Sequence, residues 1–134
     1  MTAKAQKALK YIDEKSTLLT GLSDEIWSYA EVGLHEHRSA ESLAKALEAE
    51  GFSVRRGVAG MPTAFEATWG RGAPVIGFLA EYDSLPGVSQ KAIPVKEELV
   101  PGGAGHGCGH NLLGVGSFTA AIGLKCEMES RGIP

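Results

Sequence analysis

The stretch Val75-Ile76-Gly77-Phe78-Leu79-Ala80-Glu81-Tyr82-Asp83 decides how the fold is read. Its continuous apolar run, flanked by Pro74 and Glu81, suits a central strand covered on both faces. Carboxylates directly after such a strand lie at its carboxyl end, where open α/β sheets place their ligand sites. Upstream, Phe52 and Val54 alternate with polar neighbours, as do Phe65, Ala67 and Trp69, giving two half-buried strands. Gly70-Arg71-Gly72 is a turn, so the second and third strands are expected to be antiparallel neighbours.

Helical patterns lie on both sides of these strands. Ala5, Leu9, Ile12, Leu19, Leu22 and Ile26 recur at one-face spacing and predict a single long amphipathic helix, broken at Glu31-Val32-Gly33-Leu34. A second helix is expected from about Arg38 to Glu50, with Ala40, Leu43, Ala44 and Leu47 buried and Glu41–Lys45 paired on its outer side. Gly51 then takes the left-handed position that ends it. From Ser84 to Gly107 no periodic element appears, which marks a functional loop, an insertion or a misassigned element, although Val95 to Val100 has room for a helical turn. Leu112 to Leu124 reads as a helix buried on most sides. The pattern is that of one α/β domain.

Composition agrees. The chain has 134 residues, net charge −3, 43% hydrophobic and 22% charged residues. These values exclude disorder of the whole chain and leave no basic footprint for nucleic acid or anionic lipid. The longest largely apolar run, Leu112 to Leu124, contains Ser117 and Thr119 and is too short to span a bilayer. No secretory leader is read at the N-terminus. Two cysteines, Cys108 and Cys126, suit a reducing compartment, so a cytoplasmic protein is expected, with a single disulfide left open. The 18 glycines stand well above the average share, and many cluster from Gly102 to Gly109.

That cluster holds the strongest chemical signal, Gly107-Cys108-Gly109-His110-Asn111. Thiolate and imidazole are preferred ligands of zinc-like metals, and the intervening glycine lets the backbone turn both toward one ion. The same residues also read as a glycine-rich helix start with a buried cysteine and an incidental histidine. A phosphate loop fails in detail: there is no G-x-G-x-x-G spacing and no Lys-Ser or Lys-Thr after it. Asp83 can bind a metal or orient a metal-bound histidine; alternatively, Glu81 to Pro86 is a solvated strand end. His35-Glu36-His37 reads as the start of a surface helix, Trp27 and Trp69 as core or interface aromatics, and Cys126 as inert.

Taken together, Ala80-Glu81-Tyr82-Asp83-Ser84-Leu85-Pro86-Gly87 and Gly105-His106-Gly107-Cys108-Gly109-His110-Asn111-Leu112-Leu113-Gly114 resemble the metal-dependent amidohydrolase and peptidase family of aminoacylases and carboxypeptidases. Within it they are most similar to the p-aminobenzoyl-glutamate hydrolase branch, which has a long insertion between the two motifs. Glu31-Val32-Gly33-Leu34-His35-Glu36-His37-Arg38-Ser39-Ala40 resembles the start of that family's second helix. The resemblance implies the N-terminal part of a zinc-peptidase-like catalytic domain, with helices packed on a mixed sheet. It implies a two-metal centre of zinc or manganese that hydrolyses an amide between an acyl or aryl group and an amino acid.

On this resemblance Cys108 and His110 match the first two metal ligands, and Asp83 matches a site aspartate that supports the centre. His106 matches a motif histidine outside the ligand set. Glu81 stands where related peptidases have a ligand histidine, and its role is open. The family's general-base glutamate, remaining ligands and lid or dimerisation domain are expected downstream of Pro134. Residues 1–134 are then an incomplete catalytic domain, inactive alone. The expected partners are a small amide or dipeptide-like substrate and a second copy or related subunit, with no nucleic acid or membrane. The rival expectation is a non-catalytic α/β binding module derived from the same fold.

Overall fold

The computed structural model describes residues 3–134, with side chains from Gln6 onward. Among the described residues the chain runs α1 (Ala3–Glu14), α2 (Ser16–Tyr29), α3 (His37–Ala49), β1 (Ser53–Arg56), β2 (Phe65–Thr68) and α4 (His110–Ser130). A short 3-10 turn, Val58–Gly60, joins the strands. The mixed α/β class expected from the sequence is present. The site-bearing residues lie in the long irregular stretch between β2 and α4 and in the first turn of α4.

The core forms where the buried faces of three helices meet. Leu19, Leu22 and Ile26 of α2, Leu43 and Leu47 of α3, and Val115, Phe118 and Ile122 of α4 make one buried cluster. Ile26 and Ile122 are 0% exposed. Burying a side chain of this size stabilises by about 1.5–3 kcal/mol relative to leaving it in water, so the three helices hold one another. Tyr11 and Ile12 of α1, and Phe52, Val54, Phe65, Ala67 and Tyr82, pack around that cluster. Ala5, expected on the α1 face, lies outside the described side chains.

The single long N-terminal helix expected from the periodicity is two helices. The chain bends at Lys15 (φ −91°, ψ 1°), between α1 and α2. Lys15 reaches Glu50 at the end of α3, with Nζ 2.6 Å from Oε1, and Tyr11 Oη donates to the same carboxylate. Glu50 is buried, so a lysine and a tyrosine from the bend supply the partners that a buried carboxylate requires. The apolar stripe passes through the bend nearly unbroken, which is why periodicity alone does not reveal it.

At its other end α2 stops as expected. Ala30 is left-handed (φ 46°), and its N–H bonds the Ile26 carbonyl. The Glu31 carboxylate then accepts the N–H groups of Arg38 and Ser39, at 3.0 and 2.9 Å, and the Ser39 hydroxyl at 2.8 Å. It therefore caps the first turn of α3 from outside the helix. Gly51 is left-handed after α3, and the Glu41–Lys45 pair forms, both as expected.

The sheet differs from expectation. β2 pairs antiparallel with β1, in the register Val54 with Ala67 and Arg55 with Glu66, rather than with the run from Val75 to Ala80. That run forms no strand, and Val75 and Leu79 are 88% and 94% exposed. A strand covered on both faces needs neighbours on both edges, and no described segment lies alongside to pair with it. It runs past α4 instead, where the Ser117 hydroxyl donates to the Leu79 carbonyl at 2.5 Å.

Val95 to Val100 forms no helical turn. Its shape comes from side chains: the Gln90 amide donates to the carbonyls of Lys91 and Val95 and accepts the Glu97 N–H. The Leu112–Leu124 stripe forms the middle of α4, but Leu112 and Leu113 face outward rather than into the core.

Substitutions at three positions follow from this packing. Gly114 in α4 faces the Glu81 carbonyl and Tyr82, and a Cβ there would lie 3.1 Å from the Glu81 oxygen; a Cβ at Gly116 would meet nothing within 4 Å. Gly116→Ala should raise the stability measured by urea unfolding by up to about 1 kcal/mol through helix propensity. Gly114→Ala should lower it, because overpacking costs about 1–3 kcal/mol; a rise in both would mean the 81–82 segment does not sit tightly on α4. For Glu31, burial alone would raise the carboxyl pKa, but the Ser39 and Arg38 hydrogen bonds outweigh it and hold the group below its ordinary value. A depressed carboxylate contributes stability that is present above the unfolded pKa and lost as pH falls through the folded one. Glu31→Gln should therefore cost about 1 kcal/mol at neutral pH and flatten the acid limb of a stability–pH curve. An unchanged acid limb would exclude Glu31 as the cap.

Candidate metal centre

The two motifs meet through a small patch of backbone pairing. Ser84 N–H donates to the Glu31 carbonyl at 2.7 Å, beside a parallel bridge between Val32 and Ser84. Leu85 and Gly105 then exchange both of their hydrogen bonds, at 2.9 and 3.0 Å. The chain after Tyr29, the acidic segment and the glycine-rich turn thus lie side by side. Only glycine fits at position 105, since a Cβ would come within 2.5 Å of the Val88 carbonyl oxygen. Further along the turn, Gly107 N–H bonds the Gly105 carbonyl and Gly109 N–H bonds the His106 carbonyl. Gly109 is left-handed (φ 72°), and α4 begins at His110 directly after it.

Tyr82 sets the facing of its neighbours. Its ring stacks on Phe65 with centroids 6.0 Å apart, and its hydroxyl donates to the Thr63 carbonyl at 2.5 Å. Burial first, and the nearby Glu36 charge second, push its phenol up to about 12. With Tyr82 turned into the core, Glu81 and Asp83 both reach His110. Asp83 Oδ1 lies 2.7 Å from Nδ1 and Glu81 Oε2 lies 3.1 Å from Nε2. The ligand atoms of all three residues fall within 4.8 Å of one another. His110 is mostly buried, whereas the Glu81 side chain is 64% exposed, so the cluster opens to solvent on the Glu81 side.

The chemistry of this donor set fits a divalent cation. A neutral imidazole carries one N–H and can donate to one carboxylate. Contact with a second carboxylate requires another positive charge on that side, either a proton or a metal ion. Carboxylates and imidazole are common ligands of divalent metal ions, and a carboxylate on the far nitrogen of a ligating histidine is the usual orienting arrangement.

Of the residues singled out from sequence, Asp83 and His110 are brought together. Glu81, whose role the sequence leaves open, joins them. Cys108 is exposed on the turn and free, outside the three-residue cluster. Cys126 is half-buried and also free, so the two cysteines form no disulfide. His35 and His37 are exposed as expected of a surface helix start, but Glu36 between them is buried, where it accepts the Thr63 hydroxyl at 2.7 Å. The polar pattern at 35–37 carries no signal for that contact.

Two anchors of the turn also lie beyond the reach of sequence reasoning. His106 Nε2 lies 3.0 Å from the Ile26 carbonyl, and burial holds its imidazole below the usual range. The Asn111 amide donates to the Ser23 hydroxyl at 3.0 Å. Both partners belong to α2, some eighty residues earlier, and no local pattern links them.

No protein-family model matches the chain. Individual proteins do. The chain is 49% identical over 114 residues to a subunit of the p-aminobenzoyl-glutamate hydrolase of Escherichia coli strain K12, a match covering 84% of this chain and 24% of that protein. It is 34% identical to the Xaa-Arg dipeptidase of Mus musculus and 32% identical to that of Homo sapiens, each over 96% of this chain and 28% of the relative. The chain therefore spans about a quarter of the length of the curated relatives it matches. With the residues of both motifs meeting in one place and these matches running across most of its length, the chain belongs to the amidohydrolase and peptidase family of these relatives.

Proposed function

We propose that this chain is the N-terminal part of the catalytic domain of a metal-dependent amidohydrolase, which cleaves an amide between an acyl or aryl group and an amino acid. The observation that carries this reading is His110 held between Asp83 and Glu81 directly after the Cys108-Gly109 turn. The names of the relatives, a p-aminobenzoyl-glutamate hydrolase and two Xaa-Arg dipeptidases, support small amide or dipeptide-like substrates. That the hydrolase relative is named as a subunit supports assembly with a second copy or a related chain.

In this reading His110 and Cys108 hold zinc or manganese, with Glu81 as a further oxygen donor. A bound divalent cation supplies Lewis acidity toward the amide carbonyl. Asp83 accepts the Nδ1 proton of His110, which fixes the tautomer and leaves Nε2 free as a donor to the cation. Tyr82 and Gly114 keep the carboxylates in reach by seating their backbone on α4. The general base and the remaining ligands belong to sequence beyond this quarter of the family, so the chain alone is inactive.

The exposed apolar residues favour this over a self-contained binding module. Val75, Leu79 and Leu112, each more than 60% exposed, lie on segments that border the site. Val75, Ile76, Phe78 and Leu79 are exposed along one run, and apolar side chains grouped in this way are suited to cover by another element. A self-contained module would be monodisperse and melt cooperatively. The proposal expects concentration-dependent association in sedimentation velocity, and a monodisperse monomer with a sharp melt would favour the module.

Metal binding and activity give the direct tests. Isothermal titration of the 134-residue chain with Zn²⁺ or Mn²⁺ should show weak binding. His110→Ala should abolish it, and Cys108→Ser should weaken it. Asp83→Asn should weaken it by about 10- to 100-fold, as loss of an orienting partner does. Tight stoichiometric metal unaffected by Cys108→Ser would place the ligands elsewhere. No release of p-aminobenzoate from p-aminobenzoyl-glutamate is expected; measurable hydrolysis abolished by Cys108→Ala would overturn inactivity of the chain alone.

A further inference from the structure

The segment from Gly107 to Gly109 has little of its own to hold it. Two of its three residues are glycines, and the side chain between them, Cys108, is exposed. It is nonetheless flanked by two side chains anchored on one helix. On the near side, His106 Nε2 lies 3.0 Å from the Ile26 carbonyl; on the far side, the Asn111 amide lies 3.0 Å from the Ser23 hydroxyl. Ser23 and Ile26 are three residues apart on α2, so both anchors fall on the same helical face. Both are buried in or beside the core, Ile26 completely.

The chemistry of the His106 contact is directional. A carbonyl oxygen only accepts, so Nε2 must carry the hydrogen. The Ile26 carbonyl lies in the last turn of α2, where backbone acceptors lack full intrahelical partners, and its bond from Ala30 N–H is long at 3.3 Å. His106 supplies it with a second donor. The other ring nitrogen, Nδ1, is buried and has no hydrogen-bond partner among the described residues, so none of them holds the ring in the opposite orientation.

We propose that His106 and Asn111 form a two-point clamp on α2 that positions the Cys108–His110 turn, with His106 acting as a positioning residue through its Nε2–H tautomer. The clamp rests on the ligand assignment proposed above only for its effect on metal affinity; its effect on the turn is independent of any metal. It accounts for the turn reaching the same place as the acidic segment: Leu85 fixes Gly105 through the backbone, and α2 fixes the residues on either side of the glycines.

Three substitutions at His106 in the 134-residue chain test the clamp. Glutamine places its amide nitrogen near the position of Nε2, whereas asparagine reaches only as far as Nδ1. Two readouts are used: Co²⁺ titration followed by the thiolate-to-cobalt charge-transfer band, and amide hydrogen exchange at Gly107 and Gly109. His106→Ala should weaken Co²⁺ binding about tenfold and speed exchange at both glycines about tenfold. His106→Gln should restore both, and His106→Asn should not. Equal behaviour of the Gln and Ala variants, or no change in the Ala variant, would overturn the clamp.

If the unsubstituted chain shows no charge-transfer band, the assignment of Cys108 as a ligand fails, and glycine exchange alone decides the clamp. If His106→Ala does not fold, the imidazole nitrogen signals of the unsubstituted chain decide it. The Nε2–H tautomer supports the clamp, and the Nδ1–H tautomer overturns it.

Discussion

The exchange of hydrogen bonds between Leu85 and Gly105 is the contact on which the candidate site depends. It closes the long irregular stretch between β2 and α4, so that Asp83 and His110 become neighbours although 27 residues apart. Loop closure of this length costs conformational entropy that two hydrogen bonds cannot offset alone. The rest comes from what flanks the pairing: Ser84 on the Glu31 carbonyl, Tyr82 in the core, and α4 seated against the same helices. Any change that weakens the fit of α4 on the core therefore acts on the candidate site as well.

Buried charge follows the same logic of connection. Glu50 receives Lys15 and Tyr11, Glu31 receives the first N–H groups of α3, and Glu36 receives Thr63. The buried Glu50 and Glu36 join segments distant in sequence, while the half-buried Glu31 caps the helix that follows it, and each has the partners that its desolvation requires. The cluster at His110 differs, because two acids approach one ring and the more exposed of them, Glu81, faces solvent.

Particular elements show how far the sequence can be read. The stripes of α2 and α3 are legible because helical periodicity records which face is apolar, whereas the nearly uniform apolar run of α4 marks a helix without saying that Leu112 and Leu113 face outward. Asp83 and His110 are legible because their residue types and neighbours carry chemistry whatever surrounds them. The bend at Lys15 is not, because the apolar stripe crosses it and the cause, Glu50, lies in another helix. The run from Val75 to Ala80 is apolar, as its residues dictate, yet it forms no strand, because a strand is a property of two segments and periodicity describes one.

By itself, then, the sequence determined where helical stripes lie, though not the break at Lys15, together with the α/β class and the identity of the chemically competent residues, since each depends on local spacing and side-chain type. Only the tertiary structure decided which of them meet. Glu81 joins the cluster and Cys108 stays outside it, Glu36 turns inward, and His106 and Asn111 reach back to α2. Those outcomes depend on where a shared core holds distant backbone groups, and a hydrogen bond across some eighty residues leaves no trace in the spacing around either partner.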